Sequence, residues 1–455
     1  MASKKTDRTT RTMGREFKAA LWAARHPGFL AAPATVAASI SEFGLTPAGY
    51  VAGGLALGSL AWYRAHPGSF DAYAAPILRA ARRRWFEYVG PRWERLMDSC
   101  ALYTEHRRTG ATHYPRVLRV RAYSPSIDLI AVRLARGQIP EDFEAKASAM
   151  AHALGVQRIA VQHTRPGRIT LIVQRNEPFT YVIPAPEMPS RVEDVDLSAV
   201  YVGENEYGDD WCEPIIGGHC LTAGATGSGK NSLAWAKLRS MAPLIRAGLV
   251  KLWVCDPKYL EFVTLQQITG PGRYANTPEA AFELLSRFVA DMEEQQRRMQ
   301  RAGLRSVKVS EEFPLNFLLF DELGSMVAYN PEYAREITGM LARALSMGRT
   351  TGHVIDAYVQ EPSKDVVEVR DLFPRRICLR TTSPSHADMV LGADMRARGA
   401  IADEIPDLPE TAGIGYRVEK RSRTPERVRA AYTSDADCAE FMDYMRTGQT
   451  LRIVA

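Results

Sequence analysis

A chain of 455 residues, 46% of them hydrophobic, has room for two to four domains with sizeable cores. Its six cysteines (Cys100, Cys212, Cys220, Cys255, Cys378 and Cys438) form no C-x-x-C pair and no His/Cys cluster at metal spacing, which points to reduced, cytosolic surroundings rather than a disulfide framework. The formal charge of +6 is unevenly spread: residues 1–116 hold 17 Lys/Arg against 8 Asp/Glu, a net of +9, so the remainder carries −3. The bulk of the chain is therefore not a general polyanion binder, and any nucleic-acid contact there has to come from local patches.

Residues 1–26 read as a basic N-terminal tail containing Lys4, Lys5, Arg8, Arg11, Arg15, Lys18 and Arg25. Between Arg25 and Arg64 the only charged residue is Glu42, and the 21 residues from Phe43 to Tyr63 carry no charge, long enough to span a bilayer. A membrane hairpin of one or two spans is expected over 27–64. Trp22-x-x-x-His26-Pro27-Gly28 recurs as Trp62-x-x-x-His66-Pro67-Gly68, placing an amphipathic ring and a proline break at both outer ends. Basic residues on both flanks put those flanks in the cytoplasm and Glu42-Phe43-Gly44 on the far side, giving a cell-membrane protein with its bulk on the cytoplasmic side. Because alanine and glycine contribute little transfer energy, an Ala/Gly-rich helical hairpin packed on the protein is the alternative. A cleavable signal peptide does not fit, since the apolar region starts too far in and more basic sequence follows.

Residues 65–114 form a basic helical juxtamembrane segment. Arg79, Arg82, Arg83, Arg84, Arg107 and Arg108 alternate there with Trp85, Phe86, Tyr88, Trp93 and Tyr103. Beside a membrane such a segment is expected to meet anionic headgroups or water rather than nucleic acid. From 115 to 185 the pattern becomes a small ββαββ module: Val117–Ala122 and Ile127–Leu134 alternate as strands, Pro140–Leu154 has helical spacing, and Arg158–Val161 and Arg168–Val173 return to strand. Nothing in this module looks catalytic, and its expected role is packing or ring assembly. Pro184, Pro186 and Pro189 mark a linker to a larger domain expected at 195–440, and 441–455 form a C-terminal tail.

The stretch from Leu221 to Leu233 supplies the chemistry. An apolar run leads into Gly224-Ala225-Thr226-Gly227-Ser228-Gly229-Lys230, a complete G-x(4)-G-K phosphate loop. Its glycines let successive N–H groups converge on a phosphate, Lys230 reaches the β/γ-phosphates, and the helix opening there adds its dipole. The hydroxyl residue that usually follows the lysine and holds Mg²⁺ is Asn231 here, and Ser232 lies about 100° further round the helix. Leu249–Asp256 is a buried-type strand ending in Asp256-Pro-Lys258, and a helix over Thr277–Ala302 opens with Thr277 as cap and Pro278 as first residue. Leu315–Phe320 is an apolar strand that delivers Asp321 and Glu322. Behind a phosphate loop, such a carboxylate pair is suited to ordering Mg²⁺ (Asp321, with Asn231) and polarising a water (Glu322).

These motifs resemble the FtsK/SpoIIIE DNA translocases, and the resemblance runs from about Val202 to Tyr432. It takes in His219 before the phosphate loop, Asp256-Pro-Lys258 with Glu261, the helix from Asp291 to Arg298, Asp321-Glu322, the run from Arg349 to His353, Gln360-Glu-Pro-Ser363, Phe373-Pro-Arg-Arg376, Arg427-Val and Ser434-Asp435. It implies a RecA-like α/β P-loop NTPase motor with a parallel sheet, preceded here by the small α+β module and the membrane hairpin. It also implies ATP and Mg²⁺ as cofactors, double-stranded DNA as partner, and a homo-oligomer, a hexamer in the family. Lys230 is then the phosphate lysine, Asp321 the metal-ordering acid, Glu322 the catalytic carboxylate and Gln360 the γ-phosphate sensor, while Arg349 or Arg376 is the arginine supplied across a subunit boundary. Gln360 as a helix cap and the two arginines as surface salt-bridge residues are the bland alternatives. Arg301, Arg305 and Lys308 are candidate pore-loop contacts to DNA, or an ordinary solvated loop.

With about twenty residues after the resembling stretch, no winged-helix module like that of the chromosomal pumps is expected, so the short FtsK-type transfer proteins of actinobacterial conjugative plasmids and integrative elements are the nearer resemblance, with recruiting or transfer proteins as further partners. Chromosome segregation, type VII-type protein export, a type IV coupling ATPase and a non-hydrolysing nucleotide scaffold are the alternatives. The last is motivated by Asn231.

Overall fold

The computed structural model describes residues 41, 45–106, 108–328, 331–363, 367–418 and 424–447. The basic tail, the first arm of the expected hairpin at 27–40, the Glu42-Phe43-Gly44 tip, Arg107 and residues 448–455 lie outside the described residues.

Before Arg79 the described residues are helical apart from His66. Helix α1 (Leu45–Ala65) is followed directly by α2 (Pro67–Phe86), with Pro67 as the first residue of the new helix. Trp62 Nε1 donates to Ser69 Oγ at 2.8 Å, and the Phe70 ring sits edge-on to Trp62 and Tyr63. Helix α1 has the length of a span, but Pro47, Tyr50 and four glycines dilute its apolar residues. Among the described residues no helix is both long and apolar enough to cross a membrane, so the expected hairpin is not supported.

From Arg79 onward the chain builds a small module and a large sheet. Helix α3 (Pro91–Ser99) packs beside a four-stranded antiparallel sheet ordered β3-β4-β6-β5, formed by β3 (Arg116–Ala122), β4 (Ile127–Arg133), β5 (Arg158–Arg165) and β6 (Arg168–Gln174); β1 (Thr104–Glu105) and β2 (Thr112–His113) pair separately. The expected single helix over 140–154 is two, α4 (Pro140–Ala145) and α5 (Ala147–Leu154), because Lys146 leaves helical geometry at φ −106° and ψ 4°. The basic-aromatic segment is not a uniformly outward face. Arg83 pairs with the fully buried Asp128, Tyr88 OH donates to Asp128 Oδ2 at 2.9 Å, and buried Trp93 donates to Pro115 O at 2.8 Å. A buried carboxylate needs such partners, so Arg83 and Tyr88 tie the end of α2 and the turn after it to β4 instead of facing headgroups.

The large sheet has ten strands in the order β11-β10-β12-β13-β9-β14-β15-β16-β7-β8. Its parallel half comprises β9 (Cys220–Ala223), β10 (Val250–Cys255), β11 (Tyr274–Ala275), β12 (Leu315–Phe320), β13 (His353–Val359) and β14 (Arg375–Leu379). The antiparallel half comprises β7 (Val200–Asn205), β8 (Asp210–Glu213), β15 (Ile414–Val418) and β16 (Pro425–Ala430). β12 and β13 are buried at every residue, as strands covered on both faces must be. One face carries α6 (Lys230–Ser240), α7 (Ala242–Arg246) and, beyond β10, α8 (Gln266–Thr269). The other carries α9 (Pro278–Arg301), α10 (Leu323–Ala328), α11 (Pro331–Thr351) and α12 (Pro384–Leu391), and α13 (Asp435–Thr447) returns to the α6 side. In α9, Thr277 caps the first turn by accepting from Ala280 N at 3.2 Å, and Leu284, Leu285, Phe288 and Met292 repeat at helical spacing toward the core.

Candidate nucleotide site

In a parallel sheet, side chains delivered at the carboxyl ends of neighbouring strands converge on one crevice. Here β9 ends in the phosphate loop, and β12 and β13 end at Asp321-Glu322 and Gln360. Gly227 and Gly229 have φ of 73° and 91°, the left-handed region the tight loop requires. At Gly229 a Cβ would collide with the backbone of Gly413, so the position also needs the missing side chain for space. The first intrahelical bond of α6 is Leu233 N to Gly229 O, which leaves the N–H groups of Lys230, Asn231 and Ser232 without an intrahelical acceptor and aimed at the loop. Lys230 folds over that loop, donating to Gly224 O at 2.6 Å and Ala225 O at 3.1 Å. Burial lowers its pKa, against which Glu322 and Asp321 pull upward.

Asp321 is 2% exposed, and burial, then the neighbouring Glu322, push its pKa up to about 6. Such a carboxylate calls for a cation. A hard oxygen donor beside a phosphate cradle fits Mg²⁺, which usually takes one or two carboxylates plus substrate phosphates and waters. Among the described residues there is no group of three or more His, Cys, Asp or Glu that could hold a metal ion. Glu322 has φ 47°, unusual for a side-chain-bearing residue at a strand end. Its carboxylate accepts from Lys258 Nζ at 3.0 Å, Gln360 Nε2 at 2.9 Å and Gln360 N at 3.2 Å. Thr226 Oγ1 donates to Gln360 Oε1 at 3.3 Å, joining the phosphate loop to this cluster.

Gly224, Ala225, Thr226, Gly227, Ser228, Gly229, Lys230, Asp321, Glu322 and Gln360 are thus together. Asn231 and Ser232 line an adjoining cavity of about 450 Å³ with Trp235, Glu261, Thr433 and Asp435. Arg349 and Arg376 are elsewhere. Arg349 is exposed in the last turn of α11, just before β13 begins, and Arg376 lies near the start of β14, 3.6 Å from Asp371. Both are at the amino edge of the sheet, opposite the chain's own phosphate loop. Arg301, the last residue of α9, and Arg305 and Lys308 on the loop that leads to the start of β12 are exposed at that same edge. An arginine that sequence reasoning missed does reach the loop: buried Arg380, just past β14, donates to Thr226 O at 2.6 Å and pairs with Asp407 at 2.6 Å. Only the pairing of β14 beside β9 gives it that position, and no local pattern announces it.

A parallel sheet with a phosphate loop, a buried acid and a second carboxylate on the next-but-one strand defines a P-loop NTPase-like motor. Residues 189–403 match the model of the FtsK/SpoIIIE family, and residues 60–175 match the actinomycete conjugal transfer protein N-terminal domain. The chain therefore carries an FtsK/SpoIIIE domain preceded by that conjugal-transfer domain. It is 26% identical over 273 residues to the DNA translocase FtsK of Rhizobium meliloti, covering 50% of this chain and 29% of the relative. Against the DNA translocase FtsK of Staphylococcus aureus it is 22% identical over 318 residues, 65% of this chain and 38% of the relative. The chain thus spans roughly a third of these curated relatives. Among solved structures, the pCW3 conjugation coupling protein TcpA, in a monomer form with ATPγS, shares the fold at a TM-score of 0.50 and 19% identity, over 74% of this chain and 94% of that one.

Proposed function

We infer that this protein is an ATP-hydrolysing motor that moves double-stranded DNA in conjugal transfer, working on the cytoplasmic side of the cell membrane. The observation that carries the reading is the convergence of Lys230, Asp321, Glu322 and Gln360 on one phosphate loop, in a chain whose preceding residues match a conjugal-transfer domain. That domain favours transfer between cells over chromosome segregation. ATP places its phosphates under the free N–H groups of Lys230, Asn231 and Ser232, and its ribose and base extend into the cavity beside Asn231.

Asp321, with Asn231, is the protein's contribution to holding Mg²⁺. That ion supplies neutralisation of the charge on the phosphate oxygens. Glu322 orients a water for in-line attack on the γ-phosphorus and takes its proton as the bond to the β–γ bridging oxygen breaks, giving ADP and phosphate. Gln360 lies between Thr226 and Glu322, where it can register the γ-phosphate. The chain's own site has Arg380 but neither Arg349 nor Arg376, which supports assembly into a ring, taken as a hexamer, whose neighbour supplies the missing arginine.

The test is Mg²⁺-dependent ATP hydrolysis by the full chain, with and without linear duplex DNA, beside Lys230→Ala and Glu322→Gln. Strong duplex stimulation, abolished in both variants, is expected. Turnover indifferent to DNA points instead to a polypeptide exporter, and nucleotide binding without turnover in assembled protein points to the non-hydrolysing scaffold suggested by Asn231.

A further inference from the structure

The motif Asp256-Pro-Lys258 has no part in the chemistry so far, yet its lysine touches the central carboxylate. Thr226, Gln360, Glu322 and Lys258 form an unbroken hydrogen-bonded ribbon along the carboxyl edge of the sheet. They follow β9, β13, β12 and β10, which are neighbours in that order, so each residue reaches only the next strand's end.

Three features indicate what the last link does. First, the loop bearing Lys258 is built to hold it in place. Asp256, fully buried, accepts from Tyr259 N at 3.1 Å, Phe262 N at 3.0 Å and Tyr274 OH at 3.3 Å, folding residues 256–262 back on themselves. Second, the Lys258 side chain is 43% exposed, and an ion pair so wet contributes little to stability. Third, the donors are unequally divided between the carboxylate oxygens. Among the described residues, Glu322 Oε2 receives both Lys258 Nζ and Gln360 Nε2, whereas Oε1 receives Gln360 N alone. A carboxylate oxygen has two acceptor directions, so Oε2 is filled and Oε1 keeps one open for a water.

We propose that Lys258 is a positioning residue for hydrolysis: it occupies Oε2 of Glu322, fixes the rotation of a carboxylate hung from a strained backbone, and leaves Oε1 to the attacking water. This rests on the ATPase reading above. In this role the residue acts through Glu322.

The experiment measures kcat, KM for ATP, affinity for a fluorescent ATP analogue, and Tm, in the full chain with duplex DNA, for Lys258→Met, Lys258→Arg, Glu322→Gln and the double variant Lys258→Met/Glu322→Gln. Lys258→Met is expected to lose about tenfold to a hundredfold in kcat, the range for removing a group that orients a reactive one, with KM, analogue affinity and Tm unchanged. Lys258→Arg, which can still donate to Oε2, recovers most of the loss. In the Glu322→Gln background Lys258→Met costs nothing further, because the group it positions is gone. An unchanged kcat in Lys258→Met overturns the proposal, as does an equal fold-loss in both backgrounds or a loss accompanied by weaker nucleotide binding. If wild-type protein binds the analogue without turnover, the ATPase reading fails and this inference with it. Turnover that ignores Lys258 removes the inference alone.

Discussion

The two edges of the parallel sheet are made by the same strands and have opposite characters. At the carboxyl edge, charge is gathered where a ligand can meet it, and Lys230 rests on loop carbonyls it must leave to meet a phosphate. The amino edge is closed. Trp253 Nε1 donates to Asn316 Oδ1 at 2.9 Å, Asn316 Nδ2 to Asp291 at 3.0 Å, and Asp291 meets His353 Nε2 at 3.0 Å. Gln295 Nε2 donates to Thr351 O at 2.6 Å, and His219 Nδ1 accepts from Ile355 N at 3.0 Å. These bonds tie α9 to the strands beneath it and to the end of α11, and His219 to β13. The contrast teaches that one end of a buried sheet can be left exchangeable because the other end locks the layers together.

The largest way to break the contrast is to fill the loop. Gly229→Ala puts a Cβ into the Gly413 backbone at a position with φ 91°, and complete loss of nucleotide binding is expected, with several kcal/mol lost in denaturant unfolding. Gly217→Ala is the control, having φ 82° but open space around the Cβ. It should cost only about 1 kcal/mol and leave binding intact.

Next in size is the arginine at the quiet edge. If Arg376 completes a neighbour's site, Arg376→Ala should lose about 10³-fold in kcat with unchanged nucleotide affinity. Mixing Arg376→Ala with Glu322→Gln protein should restore part of the turnover, since some interfaces then pair an intact Arg376 with an intact Glu322. Absence of any recovery in mixed rings would count against action across a boundary.

The locked edge has its own pH signature. Burial, and then Arg375, push His219 down to about 4, so the folded state keeps it neutral while the unfolded chain protonates it near 6.5. Its stabilisation is complete above about pH 6.5 and is lost as pH falls toward 4, a decline of about 3 kcal/mol. His219→Asn retains an acceptor for Ile355 N–H without the titration. Its Tm should fall less steeply than wild type between pH 7 and 4.5, and parallel slopes would refute the assignment.

What the sequence made legible follows the range of its signals. The phosphate loop, the β12 strand with its two acids and the Thr277–Pro278 helix start are local patterns, and each appears where its residues indicate. His219, Asp291 and His353 stood out through resemblance alone, and only the register of β12 with β13 gathers the last two into one network far from the loop. Arg380 and the Lys258–Glu322 pair depend on which strands are neighbours, which no spacing along the chain encodes. The hairpin expectation counted uncharged residues, whereas crossing a membrane needs apolar ones, and glycine and alanine do not supply enough transfer energy.

The smallest expected effect sharpens the carboxyl edge itself. Asn231 stands where a hydroxyl residue is usual, and it lines the cavity beside the loop with Ser232 and Thr433. An amide oxygen is a neutral hard ligand like a hydroxyl, but it sits one bond further from the backbone, so it reaches the same metal only with a displaced side chain. Asn231→Ser should therefore lower the Mg²⁺ concentration for half-maximal hydrolysis on the order of tenfold, leaving Tm and ATP-analogue affinity without Mg²⁺ unchanged. A Mg²⁺ titration of duplex-stimulated turnover reads this directly. An unchanged midpoint would mean that Asn231 serves the cavity rather than the metal, and that Asp321 with the phosphates suffices to hold the ion.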